Sequence, residues 1–122
     1  LGRECCKYAE INARLNKVSD RMEVVQGDVR KVLKRMKEKF DRIVMPRPNL
    51  KDSFLDVVFP LIVKNGIIHY YGFYDSSKEN ELKELIFDEA RKAGRKVKIL
   101  KIKRAGEIGV KKFRYRVDIK IL

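Results

Sequence analysis

The spacing of apolar residues changes period several times along the chain. In residues 4–16, "ECCKYAEINARLN", Tyr8, Ile11 and Leu15 fall on one helical stripe, which predicts a helix ending near Asn16. "MEVVQ" (22–26) has strand density and runs into Gly27 and Asp28. Asp28 is suited to cap a helix in which Val29, Val32, Leu33, Met36 and Phe40 share a face, with Arg30, Lys31, Lys34, Arg35, Lys37 and Lys39 on the other. A short strand, "RIVM", follows and stops at Pro46-Arg47-Pro48. The next apolar set, Phe54, Val57, Val58, Leu61 and Ile62, predicts a helix from about 51 to 64 that Pro60 kinks or restarts and Gly66 ends.

"IIHYYGFY" (67–74) has the density of a buried strand. Alternation puts His69 and Tyr71 on one face and Tyr70 on the other, and His69 is expected to pack or hydrogen-bond there. Ser76 and Glu79 form a capping-box signature for a helix burying Leu82, Leu85, Ile86, Ala90 and Ala93, closed by Gly94. Residues 97–104 and 113–122 alternate apolar and polar, as an antiparallel pair with one face on a core does. A helix, three strand-helix units and two final strands predict an α/β fold. Its sheet should be mostly parallel, with an antiparallel edge.

Two prolines bracketing an arginine make a stiff, donor-poor, positive loop at a strand end. In open α/β sheets ligands bind beyond the carboxyl ends of strands, where the Asp28 and Pro46 loops are expected. Charge adds a partner. Thirty Lys and Arg stand against seventeen Asp and Glu in 122 residues, a net charge of +13, so an anionic partner is expected and nucleic acid comes first. The basic tracts are residues 30–39, 91–104 and 111–116. Some of this is solvated surface, but seventeen acids cannot balance thirty bases.

The two cysteines, Cys5 and Cys6, are adjacent, and His69 is the single histidine, which leaves no zinc-ligand spacing. No apolar run reaches the roughly 20 residues a membrane span needs, and no secretory signal pattern opens the sequence. A reducing, cytoplasmic setting is expected, and the abundance of Lys, Glu and Ile, with no Trp and a single Gln, leans toward a thermophilic source.

"LNKVSDRMEVVQGDVRKV", "DRIVMPRPN", "FLDVVFPLIVKNGIIHYYGF" and "RYRVDIKI" together resemble the archaeal and eukaryotic tRNA (guanine-37 N1)-methyltransferases, a class I AdoMet-dependent family. The resemblance runs over nearly the whole chain. It implies a Rossmann-like class I methyltransferase sheet with a C-terminal antiparallel strand pair, S-adenosyl-L-methionine (AdoMet) as cofactor and tRNA as partner. It also implies that Asp28 is an acid facing the adenine amino group, that Val29 packs beside the ring, and that Pro46 borders the cofactor. Arg47, Pro48 and Asn49 then belong to the wall against which guanine is positioned, where rigidity serves alignment.

The resemblance also shows what these residues do not supply. None of the seven glycines makes a Gly-x-Gly turn after a strand, and no acid ends a second strand. By alignment with the family, Leu1 falls at the end of the second strand. The chain is therefore expected to be the C-terminal portion of one methyltransferase domain, lacking its first two strands and inactive alone. The family's general base and catalytic arginine lie upstream, so no catalytic residue is assigned here. Open sheet edges lead to an expectation of self-association, or of association with the missing part. Two alternatives stand beside methyl transfer: the related aminocarboxypropyl transfer of wybutosine synthesis, and a basic α/β RNA-binding module without cofactor.

Overall fold

The structure is a computed structural model that describes residues 3–46, 53–109 and 112–122. The chain divides into two compact units, Leu1–Met36 and Lys37–Leu122.

The first unit carries α1 (Arg3–Leu15) and α2 (Val29–Arg35). Helix α1 ends as predicted near Asn16, whose side-chain amide donates to the Asn12 carbonyl at 2.8 Å. Lys17 then takes a left-handed conformation, and the Val18 N–H reaches back to the Ala13 carbonyl at 2.9 Å. Its apolar stripe is not covered. Tyr8 is 62% and Leu15 74% exposed, and Ala13 is the one buried residue of α1. Residues 22–26 form no strand, contrary to the sequence reading. A strand exists only by pairing, and these residues find no ladder partner among the described residues. Helix α2 is also shorter than its apolar spacing suggested: it stops at Arg35, and Phe40 opens the next strand instead of closing the helix.

The second unit holds a four-stranded sheet in the order β1-β2-β4-β3, with β1 Phe40–Met45, β2 Ile62–Asp75, β3 Val97–Gly109 and β4 Lys112–Ile121. Only β1 and β2 are parallel; β4 pairs antiparallel with both β2 and β3. The sheet is thus mixed rather than mostly parallel, because residues 22–26 contribute no further parallel strand.

The helix expected over residues 51–64 reduces to α3 (Leu55–Val58) and a 3-10 turn (Phe59–Leu61), after which β2 begins at Ile62. Pro60 accounts for this: its nitrogen cannot donate and its ring opposes the carbonyl four residues back. The β-branched pair Ile62-Val63 then favours extension. Gly66 therefore does not end a helix. It lies in the irregular start of β2, between the register pairs Phe40 with Ile62 and Arg42 with Ile67, beside Asn65 in the left-handed region. A Cβ at Gly66 would meet the Val63 carbonyl oxygen at 2.9 Å, so no larger residue fits.

Helix α4 (Glu79–Lys92) buries Leu82, Ile86 and Ala90 as its spacing predicts. It is entered through a 3-10 turn (Ser76–Lys78); the side chain of Ser76 in the capping-box signature lies outside what is described. The Asp75 carboxylate accepts from the Ser77 N–H at 3.0 Å and from its hydroxyl at 2.9 Å. Gly94 closes the helix at positive φ, with Gly94 N–H on the Arg91 carbonyl and Arg95 N–H on the Ala90 carbonyl. Arg95 Nη1 also donates to the Phe59 carbonyl at 2.8 Å, fixing this end of α4 to the turn after α3.

One sheet face is the core. Ile68, Tyr70, Tyr115, Val117, Ile119 and Ile121 are buried there with the apolar sides of α3 and α4. Each of the aliphatic side chains among them contributes roughly 1.5–3 kcal/mol by leaving water. Gly72 lies within this face directly opposite Tyr115, and a Cβ there would come within 2.8 Å of the Tyr74 ring. The missing side chain makes room for the Tyr74 and Tyr70 rings.

Candidate cofactor and substrate site

In the first unit the site residues sit where the chain turns from residues 22–26 into α2. Gly27 adopts φ +147, open to glycine alone, and a Cβ would stand 2.9 Å from Val32 Cγ2. Asp28 follows as the N-cap of α2, its Oδ1 accepting from the Arg30 N–H at 3.0 Å and the Lys31 N–H at 3.4 Å. The cap reading is therefore observed. A carboxylate has about four lone-pair sites, so capping leaves capacity for a ligand donor. Asp28 is exposed, and Val29 beside it is 51% exposed. An acceptor next to uncovered apolar surface has the chemistry an adenine ring needs. These residues fit that part of AdoMet.

In the second unit Pro46 is exposed and follows the last residue of β1. Met45 is paired with Tyr70, and β2 continues to Asp75, so the loop departs from the carboxyl end of a parallel pair. Arg47, Pro48 and Asn49 lie outside the described residues, as does Lys111 of the third basic tract. Asp28 and Val29 belong to one unit and Pro46 to the other. Phe54, a bulky residue at φ 58, precedes α3 on the far side of the same loop, and Ser53 Oγ accepts from the Leu55 N–H at 3.4 Å.

His69 is hydrogen-bonded on both ring nitrogens. Nε2 lies 3.1 Å from Arg42 Nη1, and Nδ1 lies 2.6 Å from Asp118 Oδ1. A guanidinium only donates, so Nε2 must accept and Nδ1–H must donate to Asp118. Arg116 Nε approaches the same carboxylate oxygen at 3.3 Å, within charge attraction but without an aligned hydrogen bond. The four side chains join β1, β2 and β4 on the sheet face away from the core. Alternation in 113–122 could have flagged Asp118 as the lone acid among Arg114, Arg116 and Lys120. Its pairing with a histidine 49 residues away needed the register.

Burial raises the Tyr74 phenol above its ordinary value, with Glu81 adding to the rise and a hydrogen bond with Tyr70 opposing it. Among the described residues no three His, Cys, Asp or Glu side chains gather as a metal site, and no helix is long and apolar enough to cross a membrane.

Residues 2–104 match the TRM5/TYW2 methyltransferase domain. The chain belongs to this family. It is 37% identical over 95 residues to tRNA (guanine(37)-N(1))-methyltransferase Trm5b of Pyrococcus abyssi, covering 77% of this chain and 27% of that protein. It is 36% identical over 86 residues to tRNA (guanine(37)-N(1))/4-demethylwyosine(37)-methyltransferase Taw22 of Nanoarchaeum equitans, covering 70% and 28%. The crystal structure of Trm5b from Pyrococcus abyssi superposes with a TM-score of 0.78 at 30% identity, over 95% of this chain and 34% of that one. TYW2 of Pyrococcus horikoshii, solved with MeSAdo, gives 0.83 at 21% identity, over 95% and 44%, a likeness of fold alone. The α/β sheet with its antiparallel ending is thus the Rossmann-like sheet of TRM5/TYW2 family structures. The chain spans little more than a quarter of the curated relatives it matches.

Proposed function

We propose that these residues are the C-terminal portion of a single Rossmann-like methyltransferase domain, part of an AdoMet-dependent enzyme that methylates N1 of guanine-37 in tRNA. The observation that carries the reading is the 37% identity to the Trm5b enzyme across 95 residues, beside a family match over residues 2–104 that spans both the Asp28 turn and the Pro46 loop. AdoMet supplies an electrophilic methyl on a sulfonium. Asp28 accepts from the adenine amino group while still capping α2, and Val29 packs beside the ring. Pro46, Arg47, Pro48 and Asn49 form a stiff wall that holds guanine in line with the methyl, so that alignment is set before reaction. Residues outside this chain accept the N1 proton, and turnover by the 122 residues alone is not expected.

Aminocarboxypropyl transfer is a second reading, since the matched domain family takes in TYW2 as well as TRM5. The Met-Pro-x-Pro loop favours methyl transfer. tRNA is the proposed partner and the cytoplasm the proposed setting. The outer edge of β1, unpaired among the described residues, is where the rest of the domain or a second copy is expected to add.

Calorimetric titration with adenosine and with AdoMet tests this. One charge-assisted hydrogen bond and one apolar contact amount to about 4 kcal/mol, or a Kd of about 1 mM for adenosine. AdoMet should bind within about threefold of that, because no acid for its methionine end is assigned here. Heat from neither ligand at several times that concentration would remove Asp28 and Val29 as an adenine site that stands without the first two strands, and would leave the RNA-binding module as an open reading.

A further inference from the structure

The two antiparallel strands that end the sheet carry a charge pattern that folding alone does not explain. Residues on the outward face of β4 are Arg114, Arg116, Asp118 and Lys120, and the register sets Lys120 opposite Lys98, Asp118 opposite Lys101, and Arg116 opposite Lys103. Lys98 and Lys101 are three residues apart, so plain alternation would send them to opposite faces. The irregularity between Ile99 and Lys101 restores them to one face. Two of the three rungs therefore bring like charges directly across from each other, an arrangement that opposes strand pairing. Asp118, the one acid on these rungs, is already engaged by His69 and Arg116.

Lysines on an edge strand often serve to prevent pairing with another chain, and β3 is an edge. That role does not extend to Arg114, Arg116 and Lys120, which lie on the inner strand β4. Lys98, Lys101 and Lys103 are exposed, and Arg114 is held over the Tyr71 ring at 5.4 Å. A face with repeated like-charge rungs becomes favourable when a polyanion lies along it. Successive rungs on β4 are two residues, about 6.8 Å, apart, a step suited to a chain of phosphates.

We propose that this face of the β3–β4 hairpin, with Lys98, Lys101, Lys103, Arg114, Arg116 and Lys120, is the RNA-backbone contact surface of the chain. The proposal rests on the reading that the protein acts on tRNA, and it names which of the basic tracts meets the phosphates. Arg116 is partly neutralised by Asp118, so the lysines carry most of the effect.

The test measures tRNA-transcript affinity of the full 122-residue chain against salt, in wild type and three triple variants. Lys98→Thr/Lys101→Thr/Lys103→Thr removes charge while keeping a β-branched residue in the strand. It should lower the slope of log affinity against log salt by about two, at about 0.7–0.9 per lost phosphate contact. Arg3→Ala/Lys7→Ala/Arg14→Ala removes the same charge from α1 and should change the slope by less than about one. Lys98→Arg/Lys101→Arg/Lys103→Arg should retain the wild-type slope, which separates lost charge from lost fold. Equal loss in the Thr and Ala triples, or an unchanged slope in the Thr triple, overturns the surface while leaving tRNA as partner. A wild-type chain that does not bind tRNA at low salt overturns both.

Discussion

The polar chain Arg42–His69–Asp118–Arg116 sets a quantitative expectation. Replacing Asp118 with Ala removes the acceptor for His69 Nδ1–H, now bonded at 2.6 Å, and the counter-charge 3.3 Å from Arg116 Nε. The His69 and Asp118 side chains are 19% and 14% exposed, so water replaces the lost acceptor only in part. A hydrogen bond to a charged group contributes about 1.5–3 kcal/mol, and partial hydration brings the expected loss to about 2 kcal/mol. Asp118→Asn keeps an oxygen for His69 and should cost less than about 1 kcal/mol. The informative variant is the double one. His69→Phe/Asp118→Ala removes both polar partners, so its cost should fall well below the sum of His69→Phe and Asp118→Ala alone, with a coupling of about 1–2 kcal/mol. Urea unfolding, followed by far-ultraviolet circular dichroism, reads all four corners of the cycle. A coupling under about 0.3 kcal/mol would refute the reasoning, because it would mean the pair exchanges nothing on folding that water does not already supply.

Further expectations rest on other parts of the structure. Gly72→Ala should destabilise by about 1 kcal/mol in a urea titration: overpacking against the Tyr74 and Tyr70 rings costs about 1–3 kcal/mol, offset by about 0.5–1 kcal/mol of reduced backbone freedom in the unfolded chain. A neutral or stabilised variant would show that the rings move aside freely. The Tyr74 phenol is raised in the folded state, so its contribution is fully present below its unfolded value near pH 10 and is lost as pH rises through the higher folded value. Stability should therefore fall at alkaline pH in wild type, and less steeply in Tyr74→Phe; identical profiles would contradict this. Asp28→Asn retains a good N-cap, so thermal stability should hold within a few tenths of a kcal/mol while adenosine affinity drops about tenfold. An unchanged affinity would confine Asp28 to capping α2.

Much of this was legible in local pattern. The alternation of residues 113–122 and the Leu82, Ile86, Ala90 spacing reappear as β4 and the buried side of α4, since period and burial coincide there. Gly94 closes α4 because only a residue at ease with positive φ ends a helix in that way. Tertiary context decided the rest. "MEVVQ" has the residues of a strand and, among the described residues, no ladder to join. The stripe of Tyr8 and Leu15 has helical spacing and no cover. Around Pro60 the apolar spacing fits both a helix and a strand, and the proline tips the segment into β2 several residues early. Asp28 was readable as a cap, because an Asp just before an amphipathic run can accept the first free N–H groups of the helix. The His69–Asp118 contact was not readable, since register between distant strands is what creates it.

The claim that these residues hold one side of an AdoMet site is tested most directly by amide chemical-shift mapping of the isotopically labelled chain titrated with adenosine. Saturating shifts centred on Gly27, Asp28 and Val29 are expected. Shifts confined to other parts of the chain, or none at saturating ligand, would contradict the claim.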